Sequence, residues 1–360
     1  MDRVEWQKKH QEECYLPAAK AYLEEILQDV SLRAREIHKE LTGQVDAFLQ
    51  SLCVLQEIGK LGVVRTVSIS FPYTSLVCGN PYFLFEVYPG EPFLDEAVVI
   101  REFPVSWMFS GWEDFLAQVK RETGECGMNA VIRMPYIKSQ SLGTARMVVS
   151  LMATLIKYHL YGLEETESYR KLKKAEDFVL SFGEYSDWQK PLLAERKEID
   201  IFQCERDTDL RFCRFRGAWY EEKEFGTLIL DDCQFLECTF TGSRFLKTSF
   251  KDARFLGCVF KNCDFLDLDL HGARFDGCVF ENVNFSGVKT NNFSPETKEI
   301  TAFWGMAEFI GCSISKAVIK SCDLSASYFR DCQVRAVEVE ESSMPDSFHD
   351  CQTKMEGEKD

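Results

Sequence analysis

The chain has 360 residues, enough for two domains that each bury a hydrophobic core. Hydrophobic residues make up 45% and charged residues 28% of the sequence, which is typical of globular proteins in water. The formal net charge is −16, and this acidity disfavours non-specific binding to nucleic acid and anionic membranes, because their phosphates would be repelled. We therefore expect no direct nucleic-acid partner and no membrane partner.

The sequence also indicates a compartment. Its N-terminus has no apolar core after a basic start, so we expect no secretory signal. The longest apolar helical stretch, 147–163, is interrupted by Lys157 and His159 and is too short and polar to span a bilayer. Fifteen cysteines without a secretory signal indicate reduced thiols rather than disulfides. We therefore expect a cytoplasmic protein.

The first part of the chain is predicted to be helical over residues 1–60. Apolar side chains such as Tyr22, Ile26 and Val30 recur at helical spacing, and Pro17 suits a first helical turn. Three strands are then predicted, over 63–71, 82–87 and 97–103, because aromatic and β-branched residues dominate these stretches and turn sequences separate them.

Four further elements complete this part of the chain. They are a helix near 111–122, a strand near 129–134, a helix over 141–162 and a helix over 166–182. Together these elements predict an α+β domain over residues 1–190, helical over 1–60 and mixed over 61–190, followed by a linker or cap over 191–206.

Residues 1–190 contain no motif that specifies a reaction. Their histidines lack metal-ligand spacing, and there is no phosphate-binding glycine loop and no nucleophile elbow. The carboxylate pair Asp95-Glu96 is interpreted as two solvated loop residues. We therefore expect no catalytic, cofactor-binding or metal-binding residue. An aromatic cluster is interpreted as core, with a concave ligand site as the alternative; its members are Phe103, Trp107, Phe109, Trp112 and Phe115.

From Phe215 onward the sequence repeats every five residues. All fifteen positions reached in steps of five from Phe215 to Phe285 are large and apolar, and twelve are Phe. The residue two positions earlier is small in twelve of these fifteen repeats, the exceptions being Lys223, Leu228 and Leu268. A period of five fits neither a helix nor a strand. The backbone must therefore turn a corner once per repeat, with two side chains inward and three outward.

These repeats resemble the pentapeptide-repeat family, in which a small residue and a polar residue precede Leu or Phe and two variable residues. Cys233-Gln-Phe-Leu-Glu and Cys263-Asp-Phe-Leu-Asp match this pattern closely. The resemblance covers about 210–340. It implies a right-handed quadrilateral β-helix in which four repeats form one coil, so the predicted fold is an N-terminal α+β domain followed by a pentapeptide-repeat solenoid over 207–340.

Twenty residues per coil would place residues twenty apart on adjacent coils, about 4.8 Å apart. The aromatic rings are expected to form interior ladders that hold the coils in register. Small inward cysteines are interpreted as packing residues rather than as a metal or redox column. The expected columns are Phe215, Phe235, Phe255 and Phe275; Phe225, Phe245, Phe265 and Phe285; and Cys238, Cys258 and Cys278.

The five-residue register is lost over 289–300 and resumes in a new phase with the pair Ala302 and Trp304. We interpret 289–300 as a loop or a distorted coil, with a recognition loop and a tolerated insertion as the two alternatives. Residues 341–360 are acidic and polar, and they are predicted to be disordered.

The resemblance implies binding rather than chemistry. The main hypothesis is a non-catalytic bacterial scaffold or protein–protein interaction protein whose partner the sequence does not name. A homodimer is a further alternative, because an open terminal coil would present unpaired strand edges. Another alternative is an enzyme or ligand-binding activity in the N-terminal domain, for which convergent polar groups in a pocket would be the sign.

The best-known pentapeptide-repeat proteins, of the quinolone-resistance type, suggest one more alternative. Those proteins mimic DNA, bind type II topoisomerases, are acidic along the solenoid and dimerise through a hydrophobic C-terminal helix. This sequence departs from both features, because residues 207–340 hold 21 Asp and Glu against 16 Lys and Arg and the end of the chain is polar. A gyrase supercoiling assay with and without the protein would test this alternative.

Overall fold

The computed structural model describes residues 2–90, 95–160, 162–196, 199–205, 208–290 and 306–357. The chain divides into two compact units, Met1–Ala194 and Glu195–Asp360. No helix in the described ranges is long and apolar enough to cross a membrane. The fifteen cysteines are all free thiols.

The N-terminal unit begins with helices, as its apolar spacing predicts. A capping box starts the first helix, since the Glu5 amide donates to the Asp2 carboxylate at 2.8 Å and the Glu5 carboxylate accepts from the Asp2 amide. The elements are α1 (Arg3–His10), a π-helical turn (Gln11–Tyr15), α2 (Leu16–Leu32) and α3 (Ala34–Glu57).

A five-stranded mixed sheet follows. Its spatial order is β3-β2-β1-β4-β5, in which β1 and β4 are parallel and the other neighbours are antiparallel. The strands are β1 (Val64–Phe71), β2 (Tyr82–Tyr88), β3 (Val99–Pro104), β4 (Lys174–Glu184) and β5 (Gln189–Ala194). The connecting helices are α4 (Tyr73–Val77), α5 (Trp112–Glu125), α6 (Met134–His159) and α7 (Glu167–Lys171), with 3-10 turns at Ser106–Phe109 and Leu163–Glu165.

The helices cover one face of this sheet. The Phe48 ring of α3 packs edge-on against Phe85 at 5.2 Å, and Phe71 stacks on Phe109 at 4.9 Å. The predicted strands near 63–71, 82–87 and 97–103 correspond to β1, β2 and β3. This unit therefore has the predicted α+β organisation.

Three predictions for this unit are wrong in detail. The helix expected over 166–182 ends at Lys171 and is followed by β4, because Phe178, Leu180 and Phe182 alternate and bury one face of the strand. The strand expected near 129–134 is a turn before α6. The predicted linker 191–206 begins too early, because residues up to Ala194 belong to β5.

The second unit is a solenoid whose walls are stacked parallel strands. The first wall contains β6 (Arg214–Arg216), β8 (Gln234–Leu236), β11 (Arg254–Leu256), β14 (Arg274–Asp276), β17 (Ala307–Ile310) and β20 (Ser327–Arg330). The second wall contains β7 (Trp219–Glu221), β9 (Thr239–Thr241), β12 (Val259–Lys261), β15 (Val279–Glu281), β18 (Ser313–Ser315) and β21 (Gln333–Arg335). The third wall contains β10 (Arg244–Leu246), β13 (Asp264–Leu266), β16 (Asn284–Ser286), β19 (Val318–Lys320) and β22 (Glu338–Glu340).

Parallel bridges form the fourth side of the solenoid. They connect Ile229, Ser249, Asp269, Lys289, Asp323 and Ser343 in sequence. The predicted quadrilateral β-helix after an α+β region is therefore confirmed as the fold class.

Phenylalanine rings fill the solenoid core in columns. In the first column Phe235 stacks on Phe255 at 4.8 Å and Phe255 on Phe275 at 4.6 Å; Phe215 extends this column at one end, and Phe309 extends it at the other. The second predicted column behaves differently. Phe225 stacks on Phe245, but Phe245, Phe265 and Phe285 meet edge-to-face at 5.0 Å.

The break in the repeat is an insertion between complete coils. Paired residues are twenty apart up to Phe275, which then pairs with Phe309, thirty-four residues later. Lys289 and Thr290 still belong to the fourth side, since Lys289 bridges Asp269 and Asp323. The predicted break at 289–300 therefore starts two residues too early. Residues 291–305, which include the predicted pair Ala302 and Trp304, lie outside the described residues.

The last described segment is helix α8 (Asp346–Gly357), so the prediction of a disordered tail is wrong for these residues. Phe348 and Cys351, three residues apart on one helical face, are buried in the solenoid core, where Phe348 lies 5.1 Å from the Phe329 ring. At the other end Ile201 and Leu210 enter the same core. The last coil is therefore covered by α8, which follows the repeats, and Ile201, which precedes them, adds to the core at the other end.

Candidate functional site

Cysteine and serine at the small inward positions donate hydrogen bonds to backbone carbonyls of the preceding coil. The Cys258 thiol donates to the Phe235 carbonyl at 3.2 Å, and the Ser243 hydroxyl donates to the Tyr220 carbonyl at 3.1 Å. Cys238 and Cys278 make the same contact with the carbonyl twenty-three residues earlier. Cys238, Cys258 and Cys278 thus occupy equivalent buried positions of successive coils.

The chemistry of the buried cysteines follows from this packing. Burial raises the pKa of the Cys263 thiol and raises that of Cys233 well above its ordinary value, which favours the unreactive protonated form. In the described ranges, no group of three or more His, Cys, Asp or Glu side chains could hold a metal ion. We therefore look for a site on the outer walls and in the N-terminal unit.

The first wall differs from the others in charge, and we call its outward side chains the arginine wall. They stand in two columns: Arg214, Gln234, Arg254, Arg274, Glu308 and Tyr328; and Arg216, Leu236, Leu256, Asp276, Ile310 and Arg330. The arginine wall thus contains five arginines and two acidic residues. The third wall contains two basic residues, Arg244 and Lys320, and four acidic residues: Glu224, Asp264, Glu338 and Glu340.

Both acidic residues of the arginine wall contact the same arginine. The Arg274 guanidinium lies 2.9 Å from Asp276 and 3.1 Å from Glu308. The other end of the wall carries Arg214 and Arg216, which are both exposed. The two arginines of the first coil therefore lie away from these two carboxylates.

Apolar side chains accompany this charge. Leu256 is 52% exposed, and Leu236 and Ile310 occupy the same column. The corner beside this column carries glycines at positive φ, for example Gly257 and Gly277, which leave the column open to solvent there, and acidic residues, Glu237 and Asp331, at its other positions. Arginine and large apolar groups are enriched at protein interfaces. The arginine wall therefore has the composition of an interaction surface.

A cavity of about 440 Å³ opens at the first coil of this wall. Its lining residues include Arg214, Arg216 and Trp219, which is 70% exposed, together with one acidic residue, Asp200. Guanidinium groups bind carboxylates through two parallel hydrogen bonds. This end of the wall can therefore hold an acidic group beside an aromatic ring.

The N-terminal unit contains a second cavity, of about 380 Å³, on the sheet face opposite the helices. Strand alternation creates it: Val67 and Ile69 turn to the core, whereas Ser68 and Ser70 turn the other way. Glu86 of the neighbouring strand lines the same cavity.

Glu86 is only 5% exposed, and neutral groups hold its carboxylate. The Tyr88 hydroxyl donates to Glu86 Oε1 at 3.0 Å, and the Ser70 hydroxyl lies 3.3 Å from Oε2. Burial raises the pKa of the Glu86 carboxyl, while these two hydrogen bonds act in the opposite direction. Among the residues that the structure describes, this deeply placed acid is held by neutral hydrogen-bond donors and not by a counter-ion.

The sequence missed this cavity and pointed to a different place. In the aromatic cluster Trp107, Phe109, Trp112 and Phe115 are buried in the core, and the Phe103 ring packs on Phe85 at 4.5 Å. The cluster is therefore core, as interpreted, and not the concave site. The pair Asp95-Glu96, interpreted as solvated, is exposed and lines the mouth of the second cavity.

Walls of stacked five-residue repeats around a phenylalanine core define the C-terminal unit as a quadrilateral β-helix. Residues 208–300 match the family model "Pentapeptide repeat region", and this part of the chain is a pentapeptide-repeat region, as the sequence resemblance predicts. No family model matches the N-terminal region. No curated protein matches the chain.

Several solved structures are similar to part of the chain. The pentapeptide repeat protein Rfr23 from the cyanobacterium Cyanothece 51142 has 9% identity, covers 37% of this chain and 90% of its own, and has a TM-score of 0.23. QnrB1, a plasmid-mediated fluoroquinolone resistance protein, has 18% identity, covers 36% and 71%, and has a TM-score of 0.14. HetL from Nostoc sp. strain PCC 7120, involved in heterocyst differentiation regulation, has 14% identity, covers 37% and 87%, and has a TM-score of 0.08.

Proposed function

We propose that this chain is a non-catalytic interaction protein whose arginine wall binds an acidic segment of a partner protein that also carries aliphatic side chains. One observation carries the proposal: a chain of net charge −16 places five outward arginines on one wall, together with the exposed Leu256 and the half-buried Leu236 and Ile310. The fifteen free thiols support a reducing, cytoplasmic location.

Charge complementarity favours an acidic partner. The net negative charge of the chain repels an acidic segment over most of the surface. The arginines of the arginine wall would attract and orient such a segment. The cavity beside Arg214, Arg216 and Trp219 would anchor one carboxylate, and Leu236 and Leu256 would cover aliphatic groups further along. Apolar burial would then supply affinity, while the arginines supply register and partner choice.

Charge reversal on the wall tests this proposal. In the full chain, the double variant Arg216→Glu with Arg254→Glu is expected to weaken binding of a labelled peptide of alternating Glu and Leu at least about tenfold, because each change replaces attraction by repulsion. Fluorescence anisotropy measures this affinity. The matched control, Arg244→Glu with Lys247→Glu, reverses two charges on and beside the third wall and is expected to leave the affinity within about twofold.

The same variants separate the alternatives. Equal losses in both double variants would contradict a specific role of the arginine wall. Binding of duplex DNA that requires Arg216 and Arg254 would replace the protein partner by nucleic acid. For the topoisomerase alternative, the tail is helical, but its buried residues Phe348 and Cys351 pack on this chain's own solenoid core, and the arginine wall adds to the difference in charge. Unchanged gyrase supercoiling and drug sensitivity would exclude that alternative.

A further inference from the structure

The cavity beside Glu86 holds a buried carboxyl group that has no positively charged partner among the described residues. A carboxylate that is nineteen-twentieths buried is costly unless a cation compensates its charge. Among the residues that the structure describes, no lysine, arginine or histidine pairs with Glu86, and the influences on its pKa are burial and two neutral hydrogen-bond donors. The cavity therefore presents a negative group whose counter-charge is not supplied by this unit.

A chain of hydrogen bonds leads to Glu86. The Ser181 hydroxyl donates to Gln189 Oε1 at 3.0 Å, and Gln189 Nε2 donates to Ser70 Oγ at 3.1 Å. Ser70 Oγ accepts from Gln189 and also lies 3.1 Å from the Ser68 hydroxyl; when Ser68 donates to it, Ser70 donates its own proton to Glu86. Tyr88 donates from the other side. These hydrogen bonds favour the ionised form of the Glu86 carboxyl group and fix its orientation. A buried carboxyl group that stays protonated would not need two donors.

The rest of the lining suits a positive organic group. Asp95 and Glu96 add two carboxylates at the exposed mouth, and Tyr185, half exposed, adds an aromatic ring. Aromatic rings attract ammonium and guanidinium groups, and the attraction grows when the cation is removed from water. A volume of about 380 Å³ admits a small molecule or the end of one long side chain.

We propose that this cavity binds an alkylammonium or guanidinium group, with Glu86 as its counter-ion and Tyr185 beside it. The group would come either from a free amine or from a lysine or arginine side chain of another protein, since both present the same chemistry. This site is independent of the arginine wall, which takes the opposite charge on the other unit. It gives the N-terminal unit a ligand class of its own.

Calorimetric titration of the full chain tests the proposal, at about pH 8, where an ordinary carboxyl group is ionised. The probes are n-butylammonium chloride, the neutral analogue n-butanol, calcium chloride and the peptide acetyl-Gly-Lys-Gly-amide. We expect a Kd below about 1 mM for butylammonium or for the peptide, and no measurable binding of butanol. Butylammonium binding points to a free amine, and binding of the peptide alone points to a partner side chain.

Two variants identify the site. Glu86→Gln keeps the shape and removes the charge, so cation binding is expected to weaken at least about tenfold, whereas Glu102→Gln, the same change on the adjacent strand β3 and outside the lining, is expected to alter it less than about twofold. Tyr185→Ala, at a half-exposed position that tolerates truncation, is expected to weaken binding several-fold. Circular dichroism checks that each variant is folded.

Three outcomes would overturn the proposal. They are absence of binding by both ammonium probes in the wild-type chain, equal binding by the Glu86→Gln variant, and binding of calcium in place of the organic cations. The first would mean that Glu86 is held protonated and needs no counter-ion. None of these results depends on whether the arginine wall binds a partner.

Discussion

Replacement of Phe255 by alanine is expected to lower the free energy of unfolding by about 3–5 kcal/mol, the usual cost of removing a buried phenyl ring. Phe255 is 2% exposed and stacks between Phe235 at 4.8 Å and Phe275 at 4.6 Å. It also meets Phe250 and Phe260 edge-to-face at 5.3 and 5.7 Å. Because each coil depends mainly on its neighbours, the cavity would weaken the contacts on both sides at once. Urea unfolding of the full chain, followed by circular dichroism, measures the change.

Leu256 provides the matched control. It is the next residue on the same strand, but it points outward and is 52% exposed. Leu256→Ala is therefore expected to change the free energy of unfolding by less than about 0.5 kcal/mol. Similar losses for both variants would contradict the assignment of Phe255 to the interior column, because position within the strand rather than burial would then determine the cost.

The solenoid core could be predicted from sequence because each inward position has the same surroundings in every coil. Phe255 and Phe275 occupy equivalent places, so a single spacing of five residues identifies both. The arginine wall could not be predicted in the same way. Its outward positions vary freely, and the insertion changes the step from twenty to thirty-four residues, which hides the alignment of Arg274 with Glu308. Only the pairing of strands across the insertion reveals the wall as one surface.

The cavity beside Glu86 depended on contacts that no local pattern contains. Strand β1 pairs in parallel with β4, more than one hundred residues later, and this pairing places Gln189 of the following strand beside Ser70. The sequence did contain a partial signal, since Ser68 and Ser70 alternate with Val67 and Ile69 and mark a strand with one polar face. It could not show that this polar face is buried or that Glu86 stands beside it.

Replacement of Phe348 by alanine is the second change expected to have a large effect. Phe348 of α8 is fully buried against the last coil, where its ring lies 5.1 Å from Phe329. The preceding residue, Ser347, accepts a hydrogen bond from the Phe329 amide at 3.1 Å and so satisfies a donor at the edge of the first wall. Loss of the ring is expected to cost about 3–5 kcal/mol and to release α8 from this edge.

A released α8 would expose the strand edges of the last coil, and exposed parallel edges recruit other chains. We therefore expect the Phe348→Ala variant to self-associate as concentration rises, as measured by sedimentation velocity, while Asp350→Ala, at an exposed position of the same helix, behaves like the wild-type chain. A Phe348→Ala variant with wild-type stability and unchanged sedimentation would show that α8 is dispensable as a cap. Helix α8 would then not be needed for stability. The last coil would have to be stable with the backbone N–H and C=O groups of its edge strands unpaired, although unpaired backbone groups normally cost free energy.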